Sequence, residues 1–209
     1  MYNFNKVSSW HRQRKLNDVF GLDVLIIPIN INRIHWTFIA VDFGAARIEY
    51  YDSEWNFSAT QVNFAARYLE DVWKMQHADE DPIACSRVRE GVPSSGPGYV
   101  PASTGKFTIH NMSLEGKIPF QSNGYDCGVF MVQMARCKMF GIPLFLDEIG
   151  QRSRMTGAGP PYAFDQADMQ YFRALMAAEL LTFAEHGLLS ARDSDKPTLR
   201  QEQAEFRSN

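Results

Sequence analysis

Hydrophobic and polar positions along the chain follow two different periods. VLIIPI (24–29) is an unbroken, β-branched apolar run suited to a buried strand. HWTFIAVDF (35–43) and ARIEYYD (46–52) are also strand-like, and the short turn at Phe43-Gly44 joins them into a hairpin. SATQVNFAARYLEDVWKMQ (58–76) switches to helical spacing, with Val62, Ala65, Leu69, Val72 and Trp73 on one stripe and Ser58 placed to cap it. A second amphipathic helix is predicted over 165–187, with Met169, Phe172, Leu175, Met176, Leu180 and Phe183 on one side. Asp165 can cap its start and Gly187 can end it. Residues 6–17 read as the end of a polar helix, and 126–140 as a buried one.

Two stretches break these patterns. Residues 77–113 run from acidic HADEDP into REGVPSSGPGYVPASTG, and this Pro, Gly and Ser content predicts a long surface loop. His77, Cys85 and His110 lie in or beside it without metal-ligand spacing. After the 126–140 helix, IPLFLDEIGQRSRMTGAGPP reads as an irregular connection. Residues 1–189 are thus expected to form one domain, followed by a polar tail over 190–209. No internal repeat, Walker-type glycine loop or GxGxxG pattern occurs.

Composition narrows the class. A chain of 209 residues that is 45% hydrophobic and 13% aromatic can bury a sizeable core. A net charge of −3 leaves no basic footprint for nucleic acid, and no apolar run reaches the length of a membrane span. The N-terminal stretch has no apolar signal-peptide core, and three cysteines without CxxC spacing fit neither a disulfide framework nor a zinc cluster. An intracellular, reducing setting (nucleus, cytoplasm or both) is expected, with no metal or cofactor.

Candidate chemistry centres on QSNGYDCGVF. Cys127 stands between Asp126 and Gly128 at the start of a helix, where unpaired N–H groups and the helix dipole stabilise a thiolate. The competing reading is a small apolar residue at a core edge, since free cysteines are usually buried and inert. The hairpin supplies a possible base. A symmetric turn centred between Phe43 and Gly44 pairs residues whose numbers sum to 87, as those of His35 and Asp52 do. Asp52 could then accept the imidazole N–H and fix its tautomer. A single bulge would break that register.

Together these stretches resemble the SUMO-specific (sentrin-specific) cysteine proteases, the ubiquitin-like-protein-processing family of clan CE. PININRIHWTFIAVDF and IEYYDS match the family's strand, its HW pair and its Asp some seventeen residues after the His. QSNGYDCGVF matches its Q-x-x-x-x-D-C-G signature, and FDQADMQYFRALMAAEL its C-terminal helix. The resemblance implies an α+β, papain-like fold: a small antiparallel or mixed sheet flanked by helices, with the nucleophile at a helix N-terminus. It implies Cys127 as nucleophile, His35 as general base, Asp52 as its orienter and Gln121 as an oxyanion donor. It also implies that Trp36, Asp126 and Gly128 bind the diglycine tail of a SUMO-type partner, in an enzyme expected to be monomeric.

Two departures from the family pattern stand out. Met1 lies close to the strand before His35, so the family's upstream segment, with its Leu-Asn-Asp motif and second tryptophan, is expected to be missing. The Leu16-Asn17-Asp18 triplet lies in the wrong place to be that motif. The 77–113 loop is longer than the family's usual spacer. Three alternatives remain beside SUMO cleavage: a NEDD8- or ubiquitin-directed protease of the same clan, acyl transfer by the same triad, and a catalytically impaired module that binds a ubiquitin-like protein.

Overall fold

The computed structural model describes residues 2–10, 18–83, 85, 87–88, 99–100, 107–145 and 162–186. In chain order the elements are α1 (Phe4–Val7), β1 (Val24–Ile31), β2 (His35–Asp42), β3 (Arg47–Tyr51), α2 (Ala59–Gln76), β4 (Arg87–Val88), β5 (Tyr99–Val100), β6 (Thr108–Asn111), α3 (Cys127–Met139) and α4 (Met169–His186). The polar tail over 190–209 and the proposed stop at Gly187 lie outside the described residues. So do positions 11–17 of the polar N-terminal stretch and most of the connection after α3.

Four strands form a mixed sheet in the order β1-β2-β3-β6, antiparallel except for the parallel β3–β6 pair. Both faces are covered, which is why β2 reads as a continuous apolar run. Ile39 and Val41 of β2, with Ile48 and Tyr50 of β3, pack into a core shared with Val62, Ala66, Leu69 and Val72 of α2. Phe38, Ala40 and Tyr51 face the other way, onto Phe130 and Met134 of α3 and Phe172 of α4. The architecture is the α+β arrangement that the resemblance implied.

Caps behave as their residue types require. Ser58 Oγ accepts the Gln61 N–H at the start of α2. Asp165 and Asp168 form a reciprocal capping box on the 3₁₀ turn (Gln166–Asp168) that leads into α4. Among the described residues, no helix is long and apolar enough to cross a membrane.

Two burial expectations fail: β1, read as a buried strand, is a half-buried edge strand, and Leu180 and Phe183 of α4 are exposed. Two expectations of topology also change. The hairpin turn is Phe43–Ala46, not Phe43-Gly44: Asp42 Oδ1 accepts the Ala45 N–H at 2.9 Å and Ala46 takes φ 51°. Phe38 therefore pairs with Tyr51 and Asp42 with Arg47, a register shifted by two from the symmetric one. A shift of two preserves the face of every side chain, so His35 and Asp52 still lie on the same side. The second change is in 77–113, which is not all loop. Thr108–Asn111 adds β6 to the sheet with Ile109 fully buried, Cys85 bridges Phe107, and β4 pairs with β5. A four-residue strand paired in parallel across the α2 crossover carries too little local periodicity to be recognised.

Candidate active site

β2 begins at His35, and β3 ends one residue before Asp52. The chain then turns sharply over Asp52–Trp55, closed by a Trp55 N–H to Asp52 C=O bond of 3.0 Å. Asp52 is fully buried, and its Oδ1 sits 2.8 Å from His35 Nε2. An ionised carboxylate can only accept, so Nε2 carries the proton and Nδ1 is left as the basic nitrogen. Burial pushes the Asp52 carboxyl up, against the Glu54 N–H (2.9 Å to Oδ1) and the imidazole, which pull it down. Glu54 Oε1 lies 3.7 Å from His35 Nδ1.

Cys127 opens α3 and is buried. Its position follows from the packing of α3 across β2. A methyl group placed on Gly128 would lie 3.5 Å from Trp36 Cδ1, so the indole lies against the first turn of the helix. Among the described residues, no hydrogen bond joins the Cys127 thiol to the imidazole. Asp126 O accepts the Phe130 N–H at 3.0 Å, closing that first turn.

The loop before α3 is tied at several points. The Gln121 N–H donates to Ser53 C=O at 2.8 Å, and Gln121 Oε1 accepts from Ser53 Oγ at 2.8 Å. Gln121 Nε2 donates to the Asn123 carbonyl. Asn123 Oδ1 accepts the N–H groups of Tyr125 and Asp126, while its Nδ2 donates to Asp126 Oδ2. Asp126 is buried and engaged by Asn123, by Gln166 Nε2 at 2.7 Å, and by the Arg173 guanidinium. Burial raises its carboxyl, yet those three partners together hold it below the ordinary carboxylate range. Its side chain therefore fastens the start of α3 to α4.

Exposed apolar side chains flank the same residues along the chain. Trp36 is 40% exposed, and Ile34 and Tyr125 lie open to solvent. Trp55, exposed and held at φ 59°, meets exposed Phe120 edge-on with ring centroids 5.5 Å apart. A bulky residue in the left-handed region is uncommon away from functional sites. A cavity of about 330 Å³ beside the dyad is lined by Ile31, Ile34, His35, Asp52, Glu54 and Phe57, among others. Among the described residues, no group of three or more His, Cys, Asp or Glu is placed to hold a metal.

Of the residues singled out from sequence, the fold joins His35 to Asp52 and sets Trp36 against Gly128. It also ties Gln121 to the residue after Asp52. His77 and His110 form ion pairs away from the dyad, with Glu80 and Glu115 respectively. Sequence reasoning overlooked Ser53, Asn123 and Gln166 as parts of this network. Arg173 stands out in the sequence only within the pattern of the C-terminal helix. Asp126 and Arg173 are 47 residues apart, and no local spacing announces such a pair.

Comparison with known proteins gives a consistent result. A family model described as "Ulp1 protease family, C-terminal catalytic domain" matches residues 1–96 and 99–186. A putative ubiquitin-like-specific protease 1B of Arabidopsis thaliana is 30% identical over 182 residues, covering 86% of this chain and 41% of that protein. A sentrin-specific protease of Caenorhabditis elegans is 26% identical over 179 residues, covering 86% and 19%. The chain thus spans less than half the length of these curated relatives. Among solved structures, the Chaetomium thermophilum Ulp1-like SUMO protease catalytic domain aligns with TM-score 0.55 at 20% identity, over 85% of this chain and 54% of that one. The yeast Ulp1 protease domain in complex with Smt3, the yeast ortholog of SUMO, aligns with TM-score 0.51 at 23% identity, over 87% and 62%. These alignments support the fold.

Proposed function

The chain belongs to the Ulp1 protease family, matching its C-terminal catalytic domain, and from that premise we propose that it is a thiol isopeptidase and endopeptidase cleaving after the C-terminal Gly-Gly of a SUMO-type modifier. The observation that carries this reading is the 2.8 Å bond between His35 Nε2 and a fully buried Asp52. It leaves Nδ1 as the proton acceptor for Cys127. The solved Ulp1 complex with Smt3 supports the choice of modifier.

In this mechanism the Cys127 thiol gives its proton to His35 Nδ1, and the sulfur attacks the carbonyl carbon of the terminal glycine. The oxyanion that forms accepts the Cys127 backbone N–H and the Gln121 amide N–H. The intermediate collapses with breakage of the C–N bond, and the imidazolium protonates the departing lysine amine. Water, deprotonated by His35, then hydrolyses the thioester and returns the thiol. Asp52 holds the imidazole's orientation and stabilises its charged form. Trp36 and Gly128 form one wall for the flat diglycine tail. Asp126 contributes by fixing the loop, since its carboxylate is already engaged within the chain. The enzyme works as a monomer without metal, in the nucleus, the cytoplasm or both, where its conjugates reside.

The test is covalent trapping. SUMO, NEDD8 and ubiquitin, each bearing a C-terminal vinyl sulfone, are incubated with the protein and with Cys127→Ala. A Cys127-dependent adduct with SUMO is expected, together with complete loss of turnover in the variant. An adduct with NEDD8 or ubiquitin alone would keep the reaction and change the modifier. Turnover retained by Cys127→Ala would overturn the assignment, and no adduct from folded protein would favour a binding-only module.

A further inference from the structure

Ser53 follows Asp52 directly, is 1% exposed, and uses both of its oxygens on one residue. Its carbonyl accepts the Gln121 backbone N–H and its hydroxyl donates to Gln121 Oε1, each at 2.8 Å. Gln121 itself is 2% exposed, so its amide cannot exchange these partners for bulk water.

The bonding directions leave one solution. A primary amide can sit either way round, with oxygen and nitrogen exchanged. The Asn123 carbonyl can only accept, so the atom facing it must be nitrogen. The atom facing Ser53 is then oxygen, and the serine hydroxyl must donate. One N–H of Gln121 is thereby used on Asn123, and the second remains for a ligand. Reversing the amide would set its oxygen against the Asn123 carbonyl, a repulsive buried contact.

From this arrangement we infer that Ser53 is a positioning residue for the reaction. It holds in place the Gln121 amide whose orientation the Asn123 carbonyl selects, leaving one N–H for the oxyanion, and it clamps the Gln121 loop to the strand end that leads into Asp52. The clamp is reinforced from the other side, where Ser113 Oγ donates to Asp52 C=O at 3.1 Å. One tight turn thus sets both the base's orienter and the oxyanion donor, through adjacent residues. This inference rests on the proposed protease reading, in which Gln121 acts on the oxyanion.

The experiment compares wild type, Ser53→Ala, Gln121→Ala and the double variant on SUMO carrying a C-terminal fluorogenic amide. Alkylation of Cys127 by chloroacetamide is followed in parallel across pH. Alkylation forms no oxyanion, so it reports the thiol, His35 and Asp52 but not Gln121. Ser53→Ala is expected to lower kcat about tenfold with KM little changed, a fraction of the 10²–10³ typical of losing the donor outright. The alkylation profile should stay at wild type, and the double variant should be no slower than Gln121→Ala alone. Should Ser53→Ala fold too poorly to assay, Ser53→Cys keeps the volume with a weaker donor and should lower kcat in the same sense. Additive losses, or an altered alkylation profile, would overturn the inference by showing that Ser53 acts elsewhere. Unchanged kcat in Ser53→Ala while Gln121→Ala is crippled would do the same. No hydrolysis by wild type, or no effect of Gln121→Ala, would instead strike the underlying protease reading.

Discussion

The two ends of the central sheet each bury a carboxylate, and they treat it in opposite ways. At the far end, Glu49 is nearly fully buried on the α3 face of β3, 2.8 Å from Lys138 Nζ, 3.2 Å from Arg47 Nε and 2.8 Å from the Tyr51 hydroxyl. Lys138 also holds Asp42 at 2.8 Å. Burial lowers the Lys138 ammonium, but its two carboxylates more than reverse this and hold its pKa above the ordinary value. Asp42, pushed up by burial, is pulled below its ordinary value by the Lys138 and Ala45 bonds. Both groups stay charged across neutral pH, and the cluster is a fixed brace. At the near end, just past the last residue of β3, Asp52 on the opposite face meets no lysine or arginine among the described residues. Its ring partner is the His35 imidazole, 2.8 Å away through Nε2. A buried acid beside fixed cations is architecture; a buried acid beside an imidazole is equipped for proton transfer.

The sharpest way to test that contrast is Asp52→Asn. Losing control of the imidazole is expected to cut kcat by about 10³-fold or more, read on the fluorogenic substrate. The stability sign is the reverse of the usual carboxylate. Because the folded Asp52 value is raised, its favourable contribution is complete below the unfolded value and is lost as pH rises through the folded one. Asparagine removes that cost, so the melting temperature at pH 7 should hold or rise. A clear drop would mean that Asp52 is itself a brace.

The matching change at the far end is Glu49→Gln. It leaves Lys138 and Arg47 short of a charge partner inside the protein and should cost ~3 kcal/mol in urea unfolding. Turnover by the folded fraction should stay near wild type. A large loss of kcat without loss of stability would erase the distinction between the two ends.

A smaller effect separates the His35–Asp52 pair from the loop that leads into Cys127. Asp126 has a lowered carboxyl, so its stabilisation is present above the unfolded value of about 3.9 and is lost as pH falls through the folded value. The tie from the start of α3 to Arg173 and Gln166 should loosen only below about pH 4. Thermal melts of wild type and Asp126→Asn are expected to differ at pH 7 and to converge on acidification. A constant gap down to pH 2 would show that the carboxylate's charge is not what holds α4.

Much of this molecule was legible along the chain because its signals are local. The helical stripe of α2, the cap at Ser58 and the strand-like pattern of β2 each follow from backbone geometry repeated over a few residues. That Cys127 opens a helix was visible in DCG for the same reason, and the His35–Asp52 contact was anticipated although the assumed register was off by two. That error did no harm, since strand faces alternate with period two and an even shift leaves both residues on one side.

What remained hidden depends on segments distant in sequence. β6 is too short to declare itself and becomes a strand only because the α2 crossover delivers it to the open edge of β3. The Asp126–Arg173 tie and the Ser53 lock on Gln121 arise where separate loops are pressed together by the two cores, and their hydrogen bonds are enforced by the cost of burying those groups unpaired. Residue types and local periods are enough to name the residues that could do chemistry and the elements they ride on. Only the tertiary structure decided which way the Gln121 amide faces, and which buried acid is a brace and which serves the base. Those choices depend on what lies opposite each group, and that is set by packing.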